Sequence, residues 1–300
     1  MQRIVKNKTM DFETYTSYIK DITAKYPFAE LSTCGKSHLK RELYSLSLGR
    51  GTNYVLYVGG VHGQEWLTSV LLLKFYENLC EKYAAGKELA GIPVSEMLSD
   101  RRLIIIPEIN PDGIEIALKG ASAADEYQDI CETASKGDYS SWNANARGVD
   151  INHNFNALWD ILHDMEMREG INSPAPRRYG GAHAESEDET KALIRLCKEL
   201  PIRHALAFHS QGEKIYWDYG EAVPPKAYLM AKIFAAITNY KLVKNEGLAS
   251  HGGFKDWFIS EFSRPAFTVE VGKGINPLPI TELDNIYKKL EELLCVGIIM

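Results

Sequence analysis

The spacing of apolar positions changes several times along the chain, and each change marks a different element. Between residues 10 and 26, Phe12, Tyr15, Tyr18, Ile19 and Ile22 recur at three- and four-residue intervals, which predicts an amphipathic helix. Residues 42–48 and 53–60 read as strands, and the second contains the run Tyr54-Val-Leu-Tyr-Val-Gly-Gly60, uninterrupted as in a strand buried on both faces. After a short turn at 60–64, residues 65–85 read as helix. Leu103–Pro107 predicts another buried strand. The stretch 108–187 is polar and glycine-rich with few periodic segments, and such a stretch inside a compact protein reads as functional loop. Beyond it, 187–200 predicts helix, 203–208 strand, 225–238 helix, 265–271 strand and 281–295 a closing helix.

Strands alternating with helices predict an α/β fold: a mixed, largely parallel twisted β-sheet flanked by helices on both faces. No internal repeat or low-complexity linker divides the chain, so one domain over residues 1–300 is expected. Ligands of such sheets bind beyond the carboxyl ends of the strands, which is where to look for chemistry.

Composition narrows the picture. A formal net charge of -6 lacks the basic footprint of a nucleic-acid binder. No window holds the roughly 18 uncharged apolar residues of a membrane span. The first residues, MQRIVKNKTMDFETY, show no apolar segment followed by small residues, so no secretory signal is read and a cytoplasmic setting is expected. The five cysteines, Cys34, Cys80, Cys131, Cys197 and Cys295, are odd in number and widely spaced, which suits a reduced interior and offers no cysteine zinc site.

Three segments carry candidate chemistry. In Val58-Gly-Gly-Val-His62-Gly-Gln-Glu65-Trp, a strand ends, glycines turn the chain, and an imidazole and a carboxylate stand three residues apart at the start of a helix. Zinc takes such ligands, and a catalytic zinc needs three from the protein plus an open position. Alone, the pair also reads as a turn histidine and a glutamate favoured by the helix dipole. In Ala205-Leu-Ala-Phe-His209-Ser-Gln-Gly, an apolar strand delivers a histidine at its carboxyl end, the place a third ligand requires, although a lone histidine there is more often structural. In Arg264-Pro-Ala-Phe-Thr-Val-Glu270-Val-Gly, a carboxylate ends another apolar strand. It is either a salt-bridged strand end, with Arg264 or Lys273, or a general base for a water whose pKa zinc lowers from 15.7 to about 7.

Together these segments resemble the zinc carboxypeptidase family, from roughly Tyr54 to Gly272. The resemblance implies one zinc ion on His62, Glu65 and His209, with Glu270 as catalytic glutamate. Arg147-Gly-Val-Asp-Ile-Asn152-His153-Asn-Phe matches the family segment that holds a substrate's terminal carboxylate, with His153 where the family normally has arginine. Histidine cannot grip a carboxylate bidentately as arginine does. Other positions also depart. Gln64 stands where pancreatic-type members often carry arginine. The oxyanion-stabilising arginine would align near Trp142-Asn143, the mobile active-site tyrosine on Leu248, and the base of the specificity pocket on Lys255. A lysine there favours an anionic substrate group, although Lys255 also reads as a solvated surface residue.

A subgroup resemblance is closer. Ser141-Trp-Asn-Ala-Asn-Ala-Arg-Gly-Val-Asp-Ile-Asn-His-Asn-Phe, Pro176-Arg-Arg-Tyr-Gly-Gly, Glu185-Ser-Glu and His209-Ser-Gln-Gly-Glu-Lys-Ile-Tyr-Trp look like bacterial γ-D-glutamyl-L-diamino acid endopeptidases. That resemblance implies hydrolysis of the γ-D-glutamyl–diamino acid amide of peptidoglycan stem peptides, a muropeptide substrate, and carboxylate recognition by Asn152, His153, Arg178 and Lys255. Arg178 is also the cation expected to replace the missing oxyanion arginine. Two other readings stay open: a carboxypeptidase or small-molecule deacylase of the same fold, and a metal-bound pseudoenzyme that only binds muropeptides or a partner protein.

Overall fold

The protein is described as a computed structural model covering residues 3–244, 247 and 251–300. Leu248, the expected counterpart of the mobile tyrosine, lies outside the described residues.

An eight-stranded sheet forms the centre. Across it run Glu30–Lys36, Glu42–Leu48, Arg101–Ile106, Asn53–Val58, Ile202–His209, Ala266–Glu270, Lys214–Tyr216 and Lys241–Val243. The inner strands from Arg101–Ile106 to Ala266–Glu270 pair in parallel. Antiparallel pairs join the first three strands and join Ala266–Glu270 to Lys214–Tyr216. The mixed sheet expected from the alternation is therefore present.

Period-two burial sorts the central strands onto two faces. Val55, Tyr57, Leu103, Ile105, Leu206 and Phe208 pack under helices Phe12–Lys25, Leu67–Ala84, Pro225–Thr238 and Leu283–Ile299. Leu56, Val58, Ile104, Ile106, Ala205 and Ala207 pack under Asp188–Glu199 and Phe254–Phe262. Both faces are covered, which is why these strands read as unbroken apolar runs.

The stretch 108–187 differs from the loop expected of it. It holds helices Pro111–Lys119, Gln128–Ser135 and Trp159–Arg168. Asn110-Pro111-Asp-Gly carries turn residues, yet Asn110 Oδ1 accepts from Gly113 N at 3.0 Å as an N-cap and Pro111 occupies the first turn, where proline loses nothing. The strand Glu30–Lys36 and the helix Phe254–Phe262 also escaped the reading of periodicity. The strand lies at an exposed edge with no alternation, and the nine-residue helix buries Lys255 and Asp256 along with its apolar residues, so polarity does not mark its buried positions.

Asn110 ties the first candidate segment to the next loop. Its buried Nδ2 donates to the carbonyls of Val61 at 3.0 Å, Asn143 at 3.2 Å and Ala144 at 3.2 Å. Gly63 N donates to Asn143 O at 3.1 Å, and Gln64 N to Trp142 O at 2.7 Å. This approach leaves no room for a side chain at 63. A Cβ there would stand 2.3 Å from Gly113 O and 2.8 Å from Trp142 O, both backbone atoms. Gly63→Ala is accordingly expected to destabilise the protein by roughly 1–3 kcal/mol, as overpacking does. Denaturant unfolding checks this, and an unchanged midpoint would contradict so close a packing.

Candidate active site

The central strands deliver the chemistry at their carboxyl ends. Asn53–Val58 passes into Gly59-Gly60-Val61-His62, and a short 3-10 turn over Gly63–Glu65 brings Glu65 round to the side of His62. Ile202–His209 ends on His209, and Ala266–Glu270 lies parallel to it with Glu270 in register with His209. The chain leaves Asn53–Val58 toward Arg101–Ile106 on one side and returns on the other as Ile202–His209. A crevice at such a switch point is the usual ligand position in an open α/β sheet.

His62, Glu65 and His209 converge. His62 Nδ1 lies 3.0 Å from Glu65 Oε1, His209 Nδ1 lies 3.2 Å from Glu65 Oε2, and the two Nδ1 atoms are 3.3 Å apart. Donors on a tetrahedron with bonds of about 2.0–2.1 Å stand about 3.3 Å apart, so the set fits a four-coordinate zinc with one position open. The Glu65 carboxylate is also held by Ser210 N at 3.1 Å and Asn276 Nδ2 at 3.5 Å.

Asp150, to which the sequence reading gave no role, stands behind His62. Its Oδ1 lies 3.2 Å from His62 Nε2, and its Oδ2 accepts from Arg178 N at 3.0 Å. A carboxylate on the far nitrogen fixes the ring and leaves the near nitrogen to a ligand. The aspartate of Gly-Val-Asp was the available signal.

The electrostatics suit a bound cation. Burial pulls the His62 pKa down, but the charges of Glu65 and Asp150 outweigh it and hold the ring well above its usual value. Glu65 is buried, yet His62 and His209 bring its carboxyl down to about 2. Burial, with the charge of Glu65 added, pushes Glu270 up to about 8. The salt-bridge alternative for Glu270 fails, because Arg264 Nη1 donates to Ile202 O and Lys273 Nζ pairs with Glu213 at 3.0 Å.

His62, His209 and Glu270 open into one cleft of ≈ 330 Å³, whose wall also includes Asn152, His153, Arg178 and Lys255. Asn143, Arg177 and His251, for which no role was expected, line it too. Asn152 Oδ1 accepts from Phe254 N at 3.0 Å. His153 Nδ1 lies 2.8 Å from Oε1 of the buried Glu166 and 3.1 Å from Arg178 O. Arg178 extends its Nη1 to within 3.5 Å of Glu169, at the exposed rim. The surface reading of Lys255 is wrong. It is 3% exposed, paired with Asp256, and donates to Asp218 O at 2.7 Å.

A second buried group has ligand-type side chains: His38, Glu187 and Glu189. Asn145 closes it. Its Oδ1 accepts from Arg147 N at 3.0 Å and Val149 N at 3.1 Å, which turns Nδ2 toward Glu187 Oε2 at 2.8 Å and Glu189 Oε2 at 3.2 Å. The amide hydrogens thus engage the carboxylate oxygens a cation would need. The cluster anchors the 145–150 loop instead.

Comparisons with known proteins bear on the family and the fold. The model of the zinc carboxypeptidase family matches residues 15–292. A γ-D-glutamyl-L-diamino acid endopeptidase of Lysinibacillus sphaericus is 30% identical over 290 residues, covering 96% of this chain and 72% of the relative. Thrombin activatable fibrinolysis inhibitor superposes with a TM-score of 0.78 at 20% identity, over 99% of this chain and 76% of that one. Murein-tripeptide amidase from Escherichia coli O157 superposes with a TM-score of 0.54 at 20% identity, over 90% and 92%. The two superpositions show the fold. The chain belongs to the zinc carboxypeptidase family, and it is a metallopeptidase of a zinc-dependent class.

Zinc added to metal-free protein at about 100 times its dissociation constant is expected to raise the unfolding free energy by about 2.7 kcal/mol. Melting of the wild type and of His209→Ala, with and without zinc, checks this. The increment should vanish in the variant, and an equal increment in both would put the ion elsewhere.

Proposed function

We propose that this chain hydrolyses the γ-D-glutamyl–diamino acid amide of peptidoglycan stem peptides. The observation that carries the reading is the cleft itself: a zinc-type donor set and Glu270 open onto a wall bearing His153, Arg177, Arg178 and Lys255. Several basic groups around one small cleft suit a substrate with more than one carboxylate. A diamino acid such as diaminopimelate brings them. The similarity to the Lysinibacillus endopeptidase over most of both chains supports the same reading.

In this reading His62, Glu65 and His209 hold one zinc ion, and Glu270 is the general base. Bound zinc supplies Lewis acidity and makes water a nucleophile near neutral pH. Glu270 takes one proton from the attacking water as its oxygen bonds the carbonyl carbon and the π electrons move to the carbonyl oxygen. When the C–N bond breaks, Glu270 returns that proton to the leaving nitrogen, acting as acid after base. Asn152 and His153 orient a substrate carboxylate, with Arg178 at the rim and Lys255 deeper in the wall, where its charge is shared with Asp256.

Mass spectrometry of products from L-Ala-γ-D-Glu-meso-diaminopimelate, beside a panel of ordinary L-peptides, tests the proposal. Release of L-Ala-D-Glu is expected. Release of C-terminal residues from the L-peptides alone would favour a carboxypeptidase, and no cleavage at all would favour a binding protein.

His153 gives a pH signature. Burial lowers its pKa, but Asp150 and Glu166 outweigh that and the nearby charge of His62, so the ring sits above its ordinary 6.5. A raised value means the imidazolium, and its pull on a carboxylate, is present at lower pH and lost as pH rises through it. The KM for a substrate with a free carboxylate is expected to rise across that step. His153→Gln should flatten the rise, and an unchanged pH profile would remove His153 from recognition.

A further inference from the structure

Two of the departures noted in the sequence meet in space. Gln64 stands between two metal-type ligands, and Asn143 stands where the oxyanion arginine is expected, 79 residues later. Gln64 Nε2 donates to Asn143 Oδ1 at 2.5 Å, and both side chains are buried. That bond fixes which way the Asn143 amide faces. With Oδ1 engaged, Nδ2 is the amide atom left to donate, and it has no hydrogen-bond partner among the described residues. Asn143 lines the same cleft as His62, His209 and Glu270.

The backbone under this amide is unusually well held. Asn143 N donates to Pro176 O at 2.7 Å, and Asn143 O accepts from Gly63 N at 3.1 Å and Asn110 Nδ2 at 3.2 Å. Gln64 is fixed in turn, its N donating to Trp142 O at 2.7 Å. The amide is therefore set before any substrate arrives. A donor oriented in advance costs no reorganisation when charge develops, which is what stabilisation of an oxyanion requires. Arg178, the other group considered for this task, is half-exposed and turned toward Glu169.

We infer that Asn143 is a catalytic residue whose Nδ2 donates a hydrogen bond to the oxyanion of the tetrahedral intermediate, and that Gln64 is the positioning residue that aims it. This rests on the hydrolase reading above, and it deepens that reading by assigning the role of the absent arginine to an amide pair. The bond being formed is the water oxygen to the carbonyl carbon. The negative charge that Asn143 meets is the former carbonyl π pair, and no other reactant is needed.

The test uses zinc-loaded full-length protein and whichever peptide of the panel the wild type cuts fastest. Failure of the muropeptide proposal changes that peptide, not the ratio between variants. Asn143→Ala is expected to lower kcat by about 10²–10³ with KM within about threefold, the loss typical of one oxyanion donor. Asn143→Asp keeps an acceptor for Gln64 but loses the donor, and it should fall at least as far. Gln64→Ala should show a smaller drop, again in kcat rather than KM, while Gln64→Glu, which cannot donate to Asn143, should not restore the rate. A phosphinate analogue, with a tetrahedral P–O⁻ in place of the scissile carbonyl, supplies a readout apart from turnover. Asn143→Ala should weaken its binding by the same factor as kcat while product affinity and zinc content hold. Three results would overturn the inference: kcat within threefold of wild type, a loss confined to KM, or equal weakening for analogue and product. A zinc-loaded wild type that cuts none of the panel removes the oxyanion and the inference with it.

Discussion

Two imidazole nitrogens and a carboxylate, buried together within 3.3 Å of one another, form a costly arrangement unless something positive sits between them. Unpaired buried polar groups lose their hydration without compensation. The arrangement also sets the neighbouring groups. The carboxylates of Glu65 and Asp150 hold His62 above its ordinary pKa, and burial with the charge of Glu65 pushes Glu270 up to about 8. A cation on the three donors would relieve this strain of charge, drawing proton affinity away from Glu270 and returning it to the carboxylate form a base needs.

The sheet makes the arrangement possible. Parallel pairing of Ile202–His209 with Ala266–Glu270 sets His209 beside Glu270, and the glycine turn after Asn53–Val58 swings His62 and Glu65 over the same ends. The turn is fixed from outside by Asn110 and by the loop at 142–145. Asp150, on the same loop, then backs His62. The contrast with His38, Glu187 and Glu189 is instructive. Those residues have the same chemistry, but Asn145 donates to both carboxylates, so they hold the loop in place rather than open a site.

Much of this was legible in the sequence because each main side chain ends an apolar run. His62, His209 and Glu270 follow strands whose burial shows in their composition, and Glu65 follows His62 at a telling distance. Pairings across the chain were not legible. Nothing local links Gln64 to Asn143, or His153 to Glu166, because such contacts depend on how the 108–187 segment folds. That segment looked irregular because its helices start with turn-type residues such as Asn110 and Pro111, which here act as caps. Lys255 was ambiguous for a similar reason. Its burial depends on the helix Phe254–Phe262, whose consecutive residues Phe254 to Ile259 are all buried, polar and apolar alike, so no period shows in the sequence.

X-ray absorption at the zinc edge of the purified protein tests the convergence of His62, Glu65 and His209 most directly. Two imidazole nitrogens and carboxylate oxygen are expected at about 2.0–2.2 Å, with one nitrogen lost in His209→Ala. A sulfur scatterer near 2.3 Å, or a spectrum unchanged by that substitution, would contradict the account.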